Sequence, residues 1–90
     1  METIAEKTQR IIADTLGVEK NVLTRDTDLH KDLGADSLDV VDTVMILEKE
    51  FKTSIPDEKV ERMRKVGHFI DYFEITKSFT RIENATLKAA

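Results

Sequence analysis

Ser37 is the residue of this chain best placed to do chemistry. It stands in Lys31-Asp32-Leu33-Gly34-Ala35-Asp36-Ser37-Leu38-Asp39-Val40-Val41-Asp42, where a glycine closes one segment and Asp-Ser opens another. The chain has no cysteine, no second nucleophile with an obvious base and no cluster of metal ligands. An Asp-Ser pair at a helix start ordinarily caps the helix, its side-chain oxygen accepting from an orphan backbone N–H. Asp36 can supply that cap alone, with Asp39 three residues on as an acidic form of the capping box. Ser37 is then surplus as a cap and falls exposed in the first turn. A phosphodiester there would suit the helix N-terminus. The carboxylates around it would repel a free one, so only a covalent bond would hold it. No histidine lies close by in sequence to act as a base, His30 and His68 being far apart. A serine hydrolase would also need an oxyanion hole, and none can be named. Asp32, Asp36 and Asp39 could attract divalent cations loosely, but their spacing is not that of a calcium loop, so no metal site is expected.

The elements that must hold this serine are helical. Ile4, Thr8, Ile11, Ile12, Thr15 and Leu16 recur at helical spacing from Thr3 onward, and Gly17 reads as the residue just past that helix's end. Val18 to Lys31 has no sustained period and reads as a long ordered loop anchored by Leu23, Leu29 and Leu33. A second helix is predicted from about Asp36 to Phe51, with Val40, Val44, Leu47 and Phe51 as its buried stripe. Ser54-Ile55-Pro56-Asp57 breaks the chain, since the residue before proline is pushed out of helix. A short third helix is predicted over Glu58 to Lys65, with Val60 and Met63 inward. Gly67 and His68 separate it from a last helix that buries Phe69, Ile70 and Phe73. Ile75, Phe79, Ile82 and Thr86 continue a helical period, but the 76–90 segment is expected to be a C-terminal extension, either helical or disordered, beyond a domain over 1–75. The expectation is an all-α fold: a small four-helix bundle of three main helices and one short one, with a long loop between helices 1 and 2.

Composition narrows the function classes. Ninety residues suit one small domain with a modest core and no staple of disulfide or metal. Met1 is followed by Glu2 and Glu6 with no long apolar run, so neither a secretory signal nor a membrane span is expected. A net charge of -4 disfavours nucleic acid and anionic membranes and favours partners with basic patches. Aromatics at 6% leave little for base stacking. The absence of cysteine fits a reducing compartment, and the expected location is the cytoplasm. Asp36, Asp39, Asp42, Glu48 and Glu50 lie along the second helix. Leu38, Val41 and Met45 recur off its buried stripe. An acidic face keeps a protein soluble, and one with apolar groups set in it also suggests a docking surface.

Asp32-Leu33-Gly34-Ala35-Asp36-Ser37-Leu38-Asp39 resembles the core motif of acyl carrier proteins without departure. The likeness continues through Val44-Met45-Ile46-Leu47-Glu48-Lys49-Glu50-Phe51 and Ile55-Pro56-Asp57-Glu58. Leu16-Gly17-Val18 lies upstream and Ile70-Asp71-Tyr72 downstream at the usual distances, so the match covers residues 3 to about 73. The resemblance implies a non-catalytic helical carrier. Its Ser37 would receive 4'-phosphopantetheine from coenzyme A through a phosphopantetheinyl transferase, and the arm would hold acyl groups as thioesters. It implies a docking set of Asp36, Leu38, Asp39, Val41, Asp42, Met45 and Glu48. The partners would be basic patches on fatty acid synthase-type enzymes: ketosynthase, acyltransferase, reductase and dehydratase. It further implies an acyl pocket bordered by Thr43, Val44, Ile46, Leu47, Ile55 and Phe69. Nothing requires more than a monomer.

Two features depart from the family pattern. Lys59, Arg62, Arg64 and Lys65 make the third helix basic, either as solvated charge pairing with Glu58 and Glu61 or as a narrowed partner range. Thr43 stands where the family commonly has leucine, Ile46 where it has a small residue, and Phe69 where it has alanine. Either the pocket is shallower and favours short or unusual acyl groups, or the core has repacked at constant volume. Fatty acid biosynthesis is the first pathway implied. A specialised acyl carrier for polyketide or other groups, and a structural carrier-like subunit of a larger assembly, are the alternatives.

Overall fold

The computed structural model describes residues 2–89, and side chains over 2–77. Four α-helices follow in order: α1 Ile4–Leu16, α2 Ser37–Phe51, α3 Asp57–Val60 and α4 Val66–Ala89. A 3-10 turn over Lys20–Val22 interrupts the long α1–α2 loop. α1 lies against both α2 and α4. The expected all-α bundle is the fold observed.

The first two helices begin and end where local chemistry dictates. Thr3 caps α1, its Oγ1 accepting from Glu6 N–H at 3.1 Å while Glu6 accepts from Thr3 N–H. Gly17 closes α1 at φ 70°, a left-handed conformation that costs glycine nothing. The apolar stripes meet in one core. Ile11, Ile12, Val44, Leu47, Phe51, Phe69, Ile70 and Phe73 are all buried in it. The Phe51 and Phe73 rings stack at 4.3 Å. Among the described residues two threonines, Thr8 and Thr43, are fully buried. Each hydroxyl donates to the carbonyl four residues back, Ile4 and Asp39, at 2.8 Å, so neither leaves an unmet polar group inside.

The third and fourth helices differ from the sequence reading. α3 ends at Val60 instead of Lys65, and α4 begins at Val66, before Gly67. The reason is tertiary. The backbone between them pairs with the long loop: Leu29 N–H donates to Arg64 at 2.8 Å, Val66 N–H to Thr27 at 3.0 Å and Gly67 N–H to Arg25 at 2.9 Å. Asp28 and Lys65 form an isolated antiparallel bridge. The Val66 and Gly67 N–H groups, each with one hydrogen to give, are spent on the loop and so cannot continue the α3 ladder. Gly67 is needed for closeness and not as a breaker, because a Cβ there would sit 3.0 Å from the Arg25 carbonyl oxygen. The expected pairing of Lys59, Arg62, Arg64 and Lys65 with Glu58 and Glu61 does not occur among the described residues. The ion pairs there join Lys7 to Glu50, Arg10 to Glu2 and Asp14, and Arg25 to Asp71. The α4 backbone passes through Ile75 and Thr76 without a break. Phe79, Ile82 and Thr86 lie outside the residues whose side chains are described.

Asp28 organises the loop. Its Oδ1 accepts from His30 N–H at 2.8 Å and Lys31 N–H at 2.9 Å, while its own N–H donates to Asp32 Oδ2 at 2.8 Å. The Lys31 N–H, followed by that of His30, holds the Asp28 carboxyl below the usual aspartate range against an opposing desolvation. A carboxyl lowered on folding adds stability that is complete above the ordinary aspartate pKa and is lost as pH falls through the folded value. Asp28→Asn keeps an acceptor but no charge. Thermal unfolding should therefore show the variant less stable than the parent near neutrality, with the gap closing in acid. A gap independent of pH would contradict this account.

Candidate functional site

The site is assembled where the loop turns into α2. Gly34 takes φ 68°, a left-handed turn, and Ala35 is buried, its N–H donating to Leu29 at 2.9 Å. The Ala35 carbonyl oxygen lies 2.9 Å from His30 Nδ1. A carbonyl can only accept, so Nδ1 carries the proton and the ring braces the residue ahead of the cap. Asp36 then caps α2: Asp39 N–H donates to Asp36 Oδ1 at 2.9 Å, and Asp36 N–H to Asp39 Oδ2 at 3.1 Å. This is the reciprocal box expected from the sequence. It relieves Ser37, the first residue of α2, of any capping duty and leaves it exposed. Asp36→Ala should cost about 0.5–2 kcal/mol in urea unfolding, whereas Asp36→Asn should cost little. Equal losses in the two variants would show that the charge and not the cap is what matters.

Ser37 borders a cleft of about 210 Å³ together with Val40, Val41, Val60, Met63 and His30. The sequence reading found no histidine near the serine; the fold brings His30 into the same cleft. The turn through Leu33 and Gly34 reverses the chain, and a seven-residue separation in sequence gave no sign of it. Among the described residues no hydrogen bond joins His30 to Ser37. The cleft therefore sets the hydroxyl beside the apolar Val40, Val41, Val60 and Met63 and the charged Glu61 and Arg64, without the relay of a serine hydrolase.

Around it, Asp36, Leu38, Asp39, Val41, Asp42 and Met45 are all exposed on one run of α2, with Leu38 74% and Met45 60% exposed. Apolar side chains so open to water among carboxylates are suited to a transient partner. Glu48, expected with them, is half-buried, and its Oε2 accepts from Ile55 N–H at 2.7 Å. It ties the segment before Pro56 to α2. Of the residues expected around an acyl pocket, Thr43, Val44, Leu47, Ile55 and Phe69 share the buried core. Ile46 stands apart: it is 41% exposed and borders a cleft with Arg10, Ile11 and Glu50 between α1 and α2. Among the described residues no group of three or more His, Asp or Glu side chains is arranged to hold a metal ion, and no helix is long and apolar enough to cross a membrane.

The arrangement of an exposed serine at a helix N-terminus, a capping aspartate and an acidic-apolar helix suits a phosphodiester-linked group. Comparison with known proteins agrees. The family described as "Phosphopantetheine attachment site" matches residues 6–73. An acyl carrier protein from Enterococcus faecalis superposes with a TM-score of 0.68 at 36% identity, covering 78% of this chain and 89% of that one. The prosthetic group is accordingly 4'-phosphopantetheine, covalently held, and proteins of this kind are carriers, with the catalysis residing in their partners. By fold, by attachment-site match and by sequence identity, the chain belongs to the acyl carrier protein family.

Proposed function

We propose that Ser37 is the attachment point, and that the chain carries acyl groups for fatty acid biosynthesis in the cytoplasm. The observation that carries the assignment is the division of labour at the α2 start: Asp36 does the capping, so the neighbouring hydroxyl is exposed and uncommitted. The bound group would supply a thiol that holds acyl chains as thioesters. The chain's own part is to present the hydroxyl, to stabilise a phosphodiester at the positive end of α2, and to shield what is attached along the Val40, Val41 and Met63 wall. Attachment displaces the nucleotide half of coenzyme A by the serine oxygen, with the hydroxyl proton passing to the transferase.

Asp36, Leu38, Asp39, Val41, Asp42 and Met45 form the docking face in this reading. The carboxylates speed encounter with basic enzymes and the exposed apolar side chains hold each one briefly. Glu48 acts on the same face by fixing the turn that precedes α3. The interior residues Thr43, Val44, Leu47, Ile55 and Phe69 would border the acyl chain. The large Phe69 and the hydrogen-bonded Thr43 favour short or unusual chains. Those two residues, with the basic 59–65 segment, favour a specialised acyl carrier as the second reading. The test is intact mass after incubation with coenzyme A and a broad-specificity phosphopantetheinyl transferase. A gain of one phosphopantetheine on a peptide containing Ser37 supports the proposal. A folded protein that gains nothing overturns it.

A further inference from the structure

A second cleft, of about 380 Å³, lies on the other side of the α3 segment, lined by Lys59, Arg62, Met63, His68, Tyr72 and Ile75. Met63 also lines the Ser37 cleft, so the two hollows share a wall. The second one combines cationic and apolar chemistry on a protein whose net charge is -4. Lys59 Nζ sits 5.6 Å from the centre of the Tyr72 ring, which is itself fixed by a 2.7 Å hydrogen bond from its hydroxyl to the Ser54 carbonyl. His68 Nδ1 accepts the Arg64 and Lys65 N–H groups at 3.2 Å, so Nε2 carries the ring proton as a further donor. Among the described lining residues the one acid, Asp71, is met by Arg25 at 2.6 Å. Among the described residues neither Lys59 nor Arg62 is in an ion pair. Ile75, 69% exposed, supplies an apolar floor beside them.

We propose that this cleft receives the far end of an acyl cargo that terminates in a carboxylate, a dicarboxylic acid joined to the carrier through its other end. The proposal rests on Ser37 being the attachment point. The Arg62 fork and the Lys59 ammonium match a carboxylate, and Tyr72, Ile75 and Met63 match the methylene chain leading to it. The tether places the cargo at an effective concentration on the order of millimolar, so a weak site is occupied. A neutral chain of the same length gains nothing from the two cations.

The parent would be loaded by a transferase from glutaryl-coenzyme A and, separately, from pentanoyl-coenzyme A. Loading is read by intact mass, and amide shifts are read in nitrogen-15 spectra. Glutaryl loading should move the amides of Lys59, Arg62, Tyr72 and Ile75 beyond their pentanoyl positions, and added salt should reduce the difference. In a doubly substituted Lys59→Gln, Arg62→Gln protein the glutaryl and pentanoyl spectra should coincide at these amides. The pentanoyl-loaded spectrum of that variant reports whether it is folded like the parent. Loaded forms that match each other in the parent, or a difference that survives the double substitution, would overturn the cleft assignment alone. Absence of either mass gain would overturn the Ser37 reading and this one together.

Discussion

Ser37→Ala protein, incubated with coenzyme A and a phosphopantetheinyl transferase, is expected to stay at its unmodified mass while the parent is converted. The loss should be complete, because no other hydroxyl combines exposure with a position in the first turn of α2. The fold should be untouched. Ser37 is exposed, makes no hydrogen bond among the described residues that holds the bundle together, and leaves the Asp36–Asp39 box intact. Alanine is also the better helix former, so stability should change by no more than about 0.5 kcal/mol. Circular dichroism beside the mass measurement separates the two effects. A mass gain in the folded variant would place the attachment elsewhere and remove the central assignment.

Phe73→Ala should have the largest effect on stability of any single truncation. Phe73 is fully buried, stacked on Phe51 at 4.3 Å and edge-on to Tyr72 at 5.5 Å. It joins α4 to the end of α2, and Tyr72 beside it holds the turn at Ser54. Removing the ring should cost about 3–5 kcal/mol. A 90-residue domain without disulfides stands near the lower end of the usual 5–15 kcal/mol, so roughly 3–5 kcal/mol would leave it barely folded. Urea unfolding followed by circular dichroism reads the loss directly. Met45→Ala is the internal comparison: Met45 is 60% exposed, and its loss should stay within about 0.5 kcal/mol. Similar losses at the two positions would mean that the core is not centred on the aromatic stack.

What could be read from the residues was what depends on neighbours three or four positions apart. The Asp36–Asp39 contacts, the left-handed Gly17 and the buried stripe Val40, Val44, Leu47 and Phe51 are all interactions within one helix or its ends. Helix geometry sets them wherever the helix later packs. The exposure of Leu38, Val41 and Met45 followed from the same periodicity, because a stripe that is buried defines the face that is not. The candidate site was legible for this reason: it is a helix start.

Tertiary structure decided what depends on residues remote in the chain. The loop carbonyls of Arg25 and Thr27 and the N–H of Leu29 find their partners beyond Val60, and this ends α3 early and starts α4 before Gly67. No local propensity encodes a hydrogen bond to a segment that far away. The same folding carried His30 into the serine's cleft, set the Glu48 carboxylate against the Ile55 N–H, and left Ile46 in the α1–α2 cleft. It also set Lys59 and Arg62 opposite Tyr72 and Ile75, making a cationic hollow of charges that the sequence shows only as a basic helix. The sequence by itself determined where α1 and α2 begin and which face each must bury. Only the packing of loop against α3 and of α4 against the core decided which remote side chains share a cleft, because that choice is made by shape and by backbone groups seeking partners across the chain.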